Sequence, residues 1–314
     1  MMQVIKIFVQ SSHLLMVGIG VCLPLVVILL SRKIHQLTDD RHCFAVWKFC
    51  RVLLKHSVIL ILIGSFLGFV MAGILWSDAY HERCHLVMTK FKWAAVEWAT
   101  SMAIISMVLG SWRKQAGGRR AFWVRTLFLL IASLNLLYHL PILFMVLTSI
   151  PETQVQILTE LNQELPRSDF VSIAFSGETL SRWLHAALAM IAASFVYTAL
   201  QSIKVANQHQ QGANRDSAIS VCRWASRNVL ILLFVQIGLG IWAALAMDHG
   251  RAQDLMGNVW PASLLFLISM SLLFIQLQQW TGLMSEQVDR KKLVKAIATF
   301  ITMFICMTAV SVLI

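Results

Sequence analysis

The sequence predicts an all-α integral membrane protein, a bundle of about 8 transmembrane helices with both termini on the external, periplasmic side. Three observations carry this prediction. The 314 residues are 58% apolar and only 13% charged, with a mean hydropathy of +0.72, far too apolar for a soluble domain. Eight apolar runs approach the roughly 20 residues that a spanning helix needs, and in lipid only a helix or a closed barrel satisfies the backbone. The basic residues between those runs alternate in density, as loops on opposite sides of a membrane do.

The runs fall at 11–30, 57–76, 93–111, 126–148, 181–203, 228–247, 261–280 and 294–313. The first has no small-residue cleavage site and is followed by a basic loop, so it reads as a retained span rather than a signal peptide. One set of connections holds 19 of the 26 Lys and Arg residues. They are Arg32, Lys33, Arg41, Lys48, Arg51 and Lys55, then Arg113, Lys114, Arg119, Arg120 and Arg125. Lys204, Arg215, Arg223 and Arg227 follow, then Arg290, Lys291, Lys292 and Lys295. Positive loops stay in the cytoplasm, which places both termini outside and implies a multi-pass protein of a bacterial inner membrane. The net charge of +11 is therefore a topology signal, and nucleic acid is not a partner.

Tryptophans mark the expected span ends: Trp76, Trp93, Trp183 and Trp260 outside, and Trp47, Trp112, Trp123, Trp224 and Trp280 inside. Gly18, Gly20, Gly64, Gly68, Gly73, Gly238 and Gly240 allow close helix packing or a flat ring against the backbone. The six cysteines are scattered and imply no disulfide, and no complete C-x-x-C-H provides for covalent haem.

Ionisable residues inside a bilayer are costly and count as functional candidates. His13, Glu97, His139 and His185 all fall toward the external ends of their spans, on four different helices. Convergence at one depth is what axial ligands of a haem bound within a bundle require, whereas hydrogen-bonded structural residues have no reason to share a level.

The runs SSHLLMVGIGVCLPLVVILL around His13, KFKWAAVEWATSMA around Glu97, PETQVQILTELNQELP outside, and SGETLSRWLHAALAM around His185 resemble subunit I of the cytochrome bd quinol oxidases. The resemblance covers residues 1–205 as a haem-binding bundle of five spans, and weakly MDHGRAQDL beyond the sixth. Residues 206–314 add three further spans. It implies that His13 and Glu97 lie at the oxygen-reducing haem pair and that His185 is an axial ligand of a low-spin b haem. Arg182, three residues earlier on the same helix face, would pair with a haem propionate or anchor the helix at the interface.

The departures change what the resemblance implies. The connection at 248–260 is too short for the family's quinol-binding loop. A second carboxylate of the third span would fall near Ile105 or Ser106, and ATFITMFICMTAVSVLI contains none. Phe266 stands where the low-spin haem's methionine belongs, leaving Met256 and Met270 as displaced candidates, with His139 and His249 as replacements for other missing ligands. Six-coordinate haems transfer electrons without binding oxygen. The expected function is thus a haem b-binding electron-transfer subunit of a respiratory complex. The alternative is a minimal quinol oxidase subunit, and quinone is a possible partner in either case.

The external segment 149–180 carries Glu152, Glu160, Glu164, Asp169 and Glu178 against Arg167. Val155, Leu158, Leu161 and Leu165 form a stripe at helical spacing. This predicts an element lying on the membrane surface, its acidic side free for a basic c-type cytochrome or solvated.

Two other classes compete. His81, Glu82 and His85 in YHERCH match the H-E-x-x-H of zinc metalloproteases. The connection at 77–92 leaves room for barely two turns, and Arg83 sets a cation beside the would-be zinc. Only Glu97 or Asp78 offers a third ligand, so the stretch reads as a connector. A transporter would show paired halves with breaks in corresponding spans. No clear internal repeat emerges from the sequence, and Pro141 reads as the one proline well inside a span.

Overall fold

The structure, a computed structural model, describes residues 2–34, 40–112, 119–208, 211–285 and 289–314. Among them every regular element is helical: α1 (Met2–Ile34), α2 (Asp40–Leu75), α3 (Asp78–Leu86), α4 (Met88–Ser111), α5 (Arg119–Ser149) and α6 (Glu152–Glu160). There follow α7 (Arg167–Ala174), α8 (Gly177–Gln208), α9 (Ala213–Leu245), α10 (His249–Gln253), a π-helical turn (Asp254–Asn258), α11 (Trp260–Ser285) and α12 (Arg290–Leu313). Eight of these, α1, α2, α4, α5, α8, α9, α11 and α12, are long and apolar enough to cross a membrane. They match the eight predicted runs one for one; α2 and α9 stop one and two residues before the ends expected for them, and most of the helices extend well past their runs, because a helix continues into polar sequence beyond the hydrocarbon. Arg113 and Lys114, used for the charge pattern, lie outside the described residues.

α1 is the most enclosed span: its most apolar window is 67% buried, against 11% for α9. Cys22, Leu23, Val26, Val27 and Leu30 are buried against Cys50, Leu53, Leu54 and Ile61 of α2. The two helices run antiparallel, and small residues set their spacing. A Cβ on Gly64 would collide with Val17, and one on Gly20 would meet Ile61 at 2.8 Å. Close backbone approach of this kind is the main source of helix affinity in lipid, where apolar side chains gain little from leaving the tails. α4 and α5 form a second antiparallel pair, with Asn135 donating to the Glu97 carbonyl and to Ser101 Oγ.

Two spans contain a proline in their interior, not one. Pro24 in α1 and Pro141 in α5 each lack the N–H that would serve the carbonyl four residues earlier. Those carbonyls belong to Gly20 and Leu137. Ser57 Oγ of α2 donates to the Gly20 carbonyl at 2.6 Å, and Trp183 Nε1 of α8 donates to the Leu137 carbonyl at 2.8 Å. Each gap in a helix is closed by a neighbour, so the break becomes a cross-helix tie.

The connection after α2, read as a short connector, is a helix of 9 residues. Ser77 caps it by accepting from the Tyr80 amide, with Asp78 in the first turn. The segment 149–180 also departs from expectation. Val155, Leu158 and Leu165 are buried with Leu86, Val87, Ile142, Val146 and Ile150 in a second, smaller core, while Leu161 is 58% exposed. The apolar stripe of α6 and its flank therefore faces α3 and α5 rather than a bilayer. Arg83 fixes this cap by donating to the Leu147 and Ile150 carbonyls that end α5 and by pairing with Glu152.

The nine tryptophans assigned to span ends divide into three groups, with Trp47 and Trp183 partly buried. Trp76, Trp93, Trp123 and Trp260 are exposed, as a belt requires, but Trp112, Trp224 and Trp280 are core residues. Trp280 Nε1 donates to Gln276 Oε1 at 2.5 Å, and Gln276 donates to the Ala296 carbonyl, tying α11 to α12. A buried indole needs such a partner.

Candidate functional site

α1 and α8 run parallel in contact, and they carry His13 and His185 at corresponding depths. Gly18 of α1 meets Met190 of α8, each five residues beyond its histidine. Each imidazole lies against a glycine of the next helix outward. A Cβ on Gly68 of α2 would sit 2.8 Å from His13 Cε1, and one on Gly240 of α9 would sit 3.3 Å from His185 Cε1. The two glycines are the cradles in which the rings lie.

The two rings differ in their polar surroundings. His13 Nδ1 donates to the Gly64 carbonyl at 2.7 Å, which places the proton on Nδ1 and leaves Nε2 with its lone pair. A carbonyl holding the far nitrogen orients a ligating imidazole and makes it a stronger donor. His185 Nδ1 is buried without a hydrogen-bond partner. Gln236 of α9 donates from Nε2 to the His185 carbonyl at 2.8 Å, while its own Oε1 is buried and unpartnered. Unsatisfied polar atoms of this kind are expensive unless something else engages them.

Glu97 and His139 meet across α4 and α5. His139 Nδ1 lies 2.9 Å from Glu97 Oε2, side by side rather than in hydrogen-bonding line, and that carboxylate oxygen has no other partner. Tyr138 stands edge-on to His139 and to Trp183, which links this pair to α8 two residues before His185.

At the same end, Arg182 and Arg251 converge on Glu178 at 3.4 and 2.9 Å, and Arg251 also binds Asp248 at 2.9 Å. Sequence reading found Arg182 but missed Arg251, whose place depends on the turn after α9. His249 accepts from Gln253 Nε2 at 3.1 Å and is exposed, and Met256 is 82% exposed on the π turn. Met270 is half-buried and packs on the main core. Of the remaining candidates, then, the structure draws Arg182 into a charged rim and leaves His249 and Met256 at the surface.

The H-E-x-x-H stretch is helical, with His81, Glu82 and His85 exposed on α3. Among the described residues, no set of three His, Cys, Asp or Glu side chains gathers to hold a metal ion. Burial pushes the neighbouring Tyr80 phenol up to about 12, with Cys84 adding to the effect, and burial raises the Cys84 thiol as well. Both groups are consequently neutral near pH 7, and neither offers an anionic ligand.

The acids of segment 149–180 are largely engaged within the protein. Glu152 pairs with Arg83, Glu164 accepts from Thr89, Asp169 accepts from Gln154, and Glu178 holds the two arginines. Comparison with known proteins finds no family model and no curated protein that matches this chain.

Proposed function

We propose that this chain is a haem b-binding electron-transfer subunit of a membrane respiratory complex, similar in plan to subunit I of the bd oxidases but without oxygen reduction. One observation carries the reading: His13 is held by the Gly64 carbonyl in the tautomer that frees Nε2, with its ring packed closely on Gly68. His185, with its buried unpartnered nitrogen against Gly240, supports a second such ligand. Arg182 and Arg251 form the cationic rim that the carboxylates of a macrocycle would meet. Glu97 and His139 form a carboxylate–imidazole pair that Tyr138 links to Trp183 of α8. Haem b, when bound, supplies a one-electron iron couple.

The proposed setting is a bacterial inner membrane, with the histidine-bearing end and both termini outside. Other membrane subunits are the expected partners, and quinone is a further one. A c-type cytochrome would meet Glu160 and the outer edges of the engaged acids rather than a free acidic face.

The test is a reduced-minus-oxidised optical spectrum of the purified protein, repeated under carbon monoxide. The expected result is b-type bands that carbon monoxide leaves unchanged. Bands that shift under carbon monoxide would favour the quinol oxidase alternative, and a spectrum without bands would remove haem from the account.

A further inference from the structure

The two imidazole sites share their numbering arithmetic. The contacts between His13 and residue 64 and between His185 and residue 236 both span 51 residues. His13 and His185 themselves are 172 residues apart, as are Gly68 and Gly240. Met88 and Trp260, which open α4 and α11, keep the same interval. The starts of α2 and α9, and of α5 and α12, keep it within one residue, and α3 is matched by α10 with the π turn. The same interval pairs Arg32 with Lys204, Arg51 with Arg223, Lys55 with Arg227, Arg119 with Lys291, Arg120 with Lys292 and the buried Cys50 with Cys222.

Packing obeys the same exchange. α1 on α2 is matched by α8 on α9, α4 on α5 by α11 on α12, and α2 on α4 by α9 on α11. The crossed contacts match too: α1 with α12 and α8 with α5. Where α1 and α8 touch, Gly18 meets its own counterpart Met190, and Ser194, the counterpart of Cys22, donates from Oγ to the Gly18 and Ile19 carbonyls of α1. Contacts of this self-paired kind occur only on a two-fold axis. With four spans in each unit, both copies point the same way and the axis runs along the membrane normal. Segment 150–176, with α6 and α7, is the linker between them.

Resting on the haem reading above, we propose that His13 and His185 are the same site in two copies of one four-span unit, made electronically unequal by Gly64 in one copy and Gln236 in the other. In the first copy, residue 64 has no side chain, so its carbonyl is bare and accepts from His13 Nδ1. In the second, residue 236 carries a side chain whose Nε2 donates to the His185 backbone carbonyl, and His185 Nδ1 is unpartnered. An imidazole whose outer N–H is held by a carbonyl donates more strongly and favours oxidised iron. Residues 64 and 236 are positioning residues, and they set the His13 site as the more reducing of the two, so electrons pass from it toward the His185 site.

The test is a spectroelectrochemical titration of the full-length protein and of Gln236→Gly, with His185→Ala to assign the bands. Baring the residue 236 carbonyl is expected to lower the reduced-to-oxidised ratio of the His185 centre about tenfold at fixed potential, about 59 mV for a one-electron couple. The His13 centre stays where it was. Gln236→Leu, which removes the amide without baring the carbonyl, is expected to leave both unmoved. The reverse change at Gly64 is unsuitable, because a side chain there strikes Val17. Two b-type centres with an unshifted His185 potential in Gln236→Gly overturn this inference alone, as does loss of the His185 bands in that variant. A parent protein without b-type bands overturns the haem reading and this inference with it.

Discussion

The four intramembrane residues selected from the sequence, His13, Glu97, His139 and His185, reappear in the structure as two histidines in matching cradles and one carboxylate–imidazole pair. Gly68 is the sharpest test of a cradle. A methyl group there would stand 2.8 Å from the His13 ring, so Gly68→Ala must displace the ring or separate α1 from α2. The expected cost is about 1–3 kcal/mol, the usual range for overpacking, together with loss of the His13 contribution to the spectrum. Gly240→Ala, with 3.3 Å available, is expected to cost less and to keep the His185 bands. Thermal melts and spectra of the two variants check the ranking; equal effects would remove the distinction between the cradles. What the sequence did not reveal at this scale were the partners of the rings. The Gly64 carbonyl and the Gln236 amide become visible only once helices are paired in register, because a backbone carbonyl has no signature in a string of side chains. Arg251 escaped notice for the same reason.

At the scale of the helix, the prolines show how local sequence and tertiary structure divide the work. Pro141 deprives the Leu137 carbonyl of its donor, and Trp183 supplies one from another span. The two residues should therefore be coupled. Trp183→Phe is expected to destabilise the protein by about 1 kcal/mol, the typical net worth of a hydrogen bond. In a Pro141→Ala background, where the chain can make its own bond, the same change should cost much less. A double-mutant cycle read by thermal or denaturant unfolding decides this, and strict additivity would refute the compensation. Hydropathy and punctuation in the sequence identified all eight long helices, yet they misjudged the connectors. YHERCH is helical because Ser77 and Asp78 cap it and Leu86 anchors it in the outer core. The stripe through Val155, Leu158 and Leu165 was recognised correctly as apolar, but periodicity cannot say whether such a stripe meets lipid or protein.

For the whole molecule, the count of spans and the uneven distribution of basic charge were legible, whereas the repeat was not. Lipid-facing positions accept almost any apolar residue, so two copies drift apart there and keep only what packing and charge demand: a glycine, a histidine and the basic residues at one end. The proposed orientation rests on those charges. Alkaline phosphatase fused after Leu313 is expected to be active, and fused after Gln208 inactive, with a cytoplasmic fluorescent reporter giving the opposite pattern. Activity after Gln208 would invert the molecule in its membrane and place the histidine end inside.

The contact of α1 with α8 also has a consequence in time. α1 leaves the ribosome before α8, and the groove at Gly18 is filled by Met190, which is synthesised 172 residues later. At 5–20 residues per second, about 10–35 s pass before α8 arrives. During that interval the innermost helix of the finished protein waits in the bilayer with one face uncovered, and it must be either shielded or slow to find a wrong neighbour.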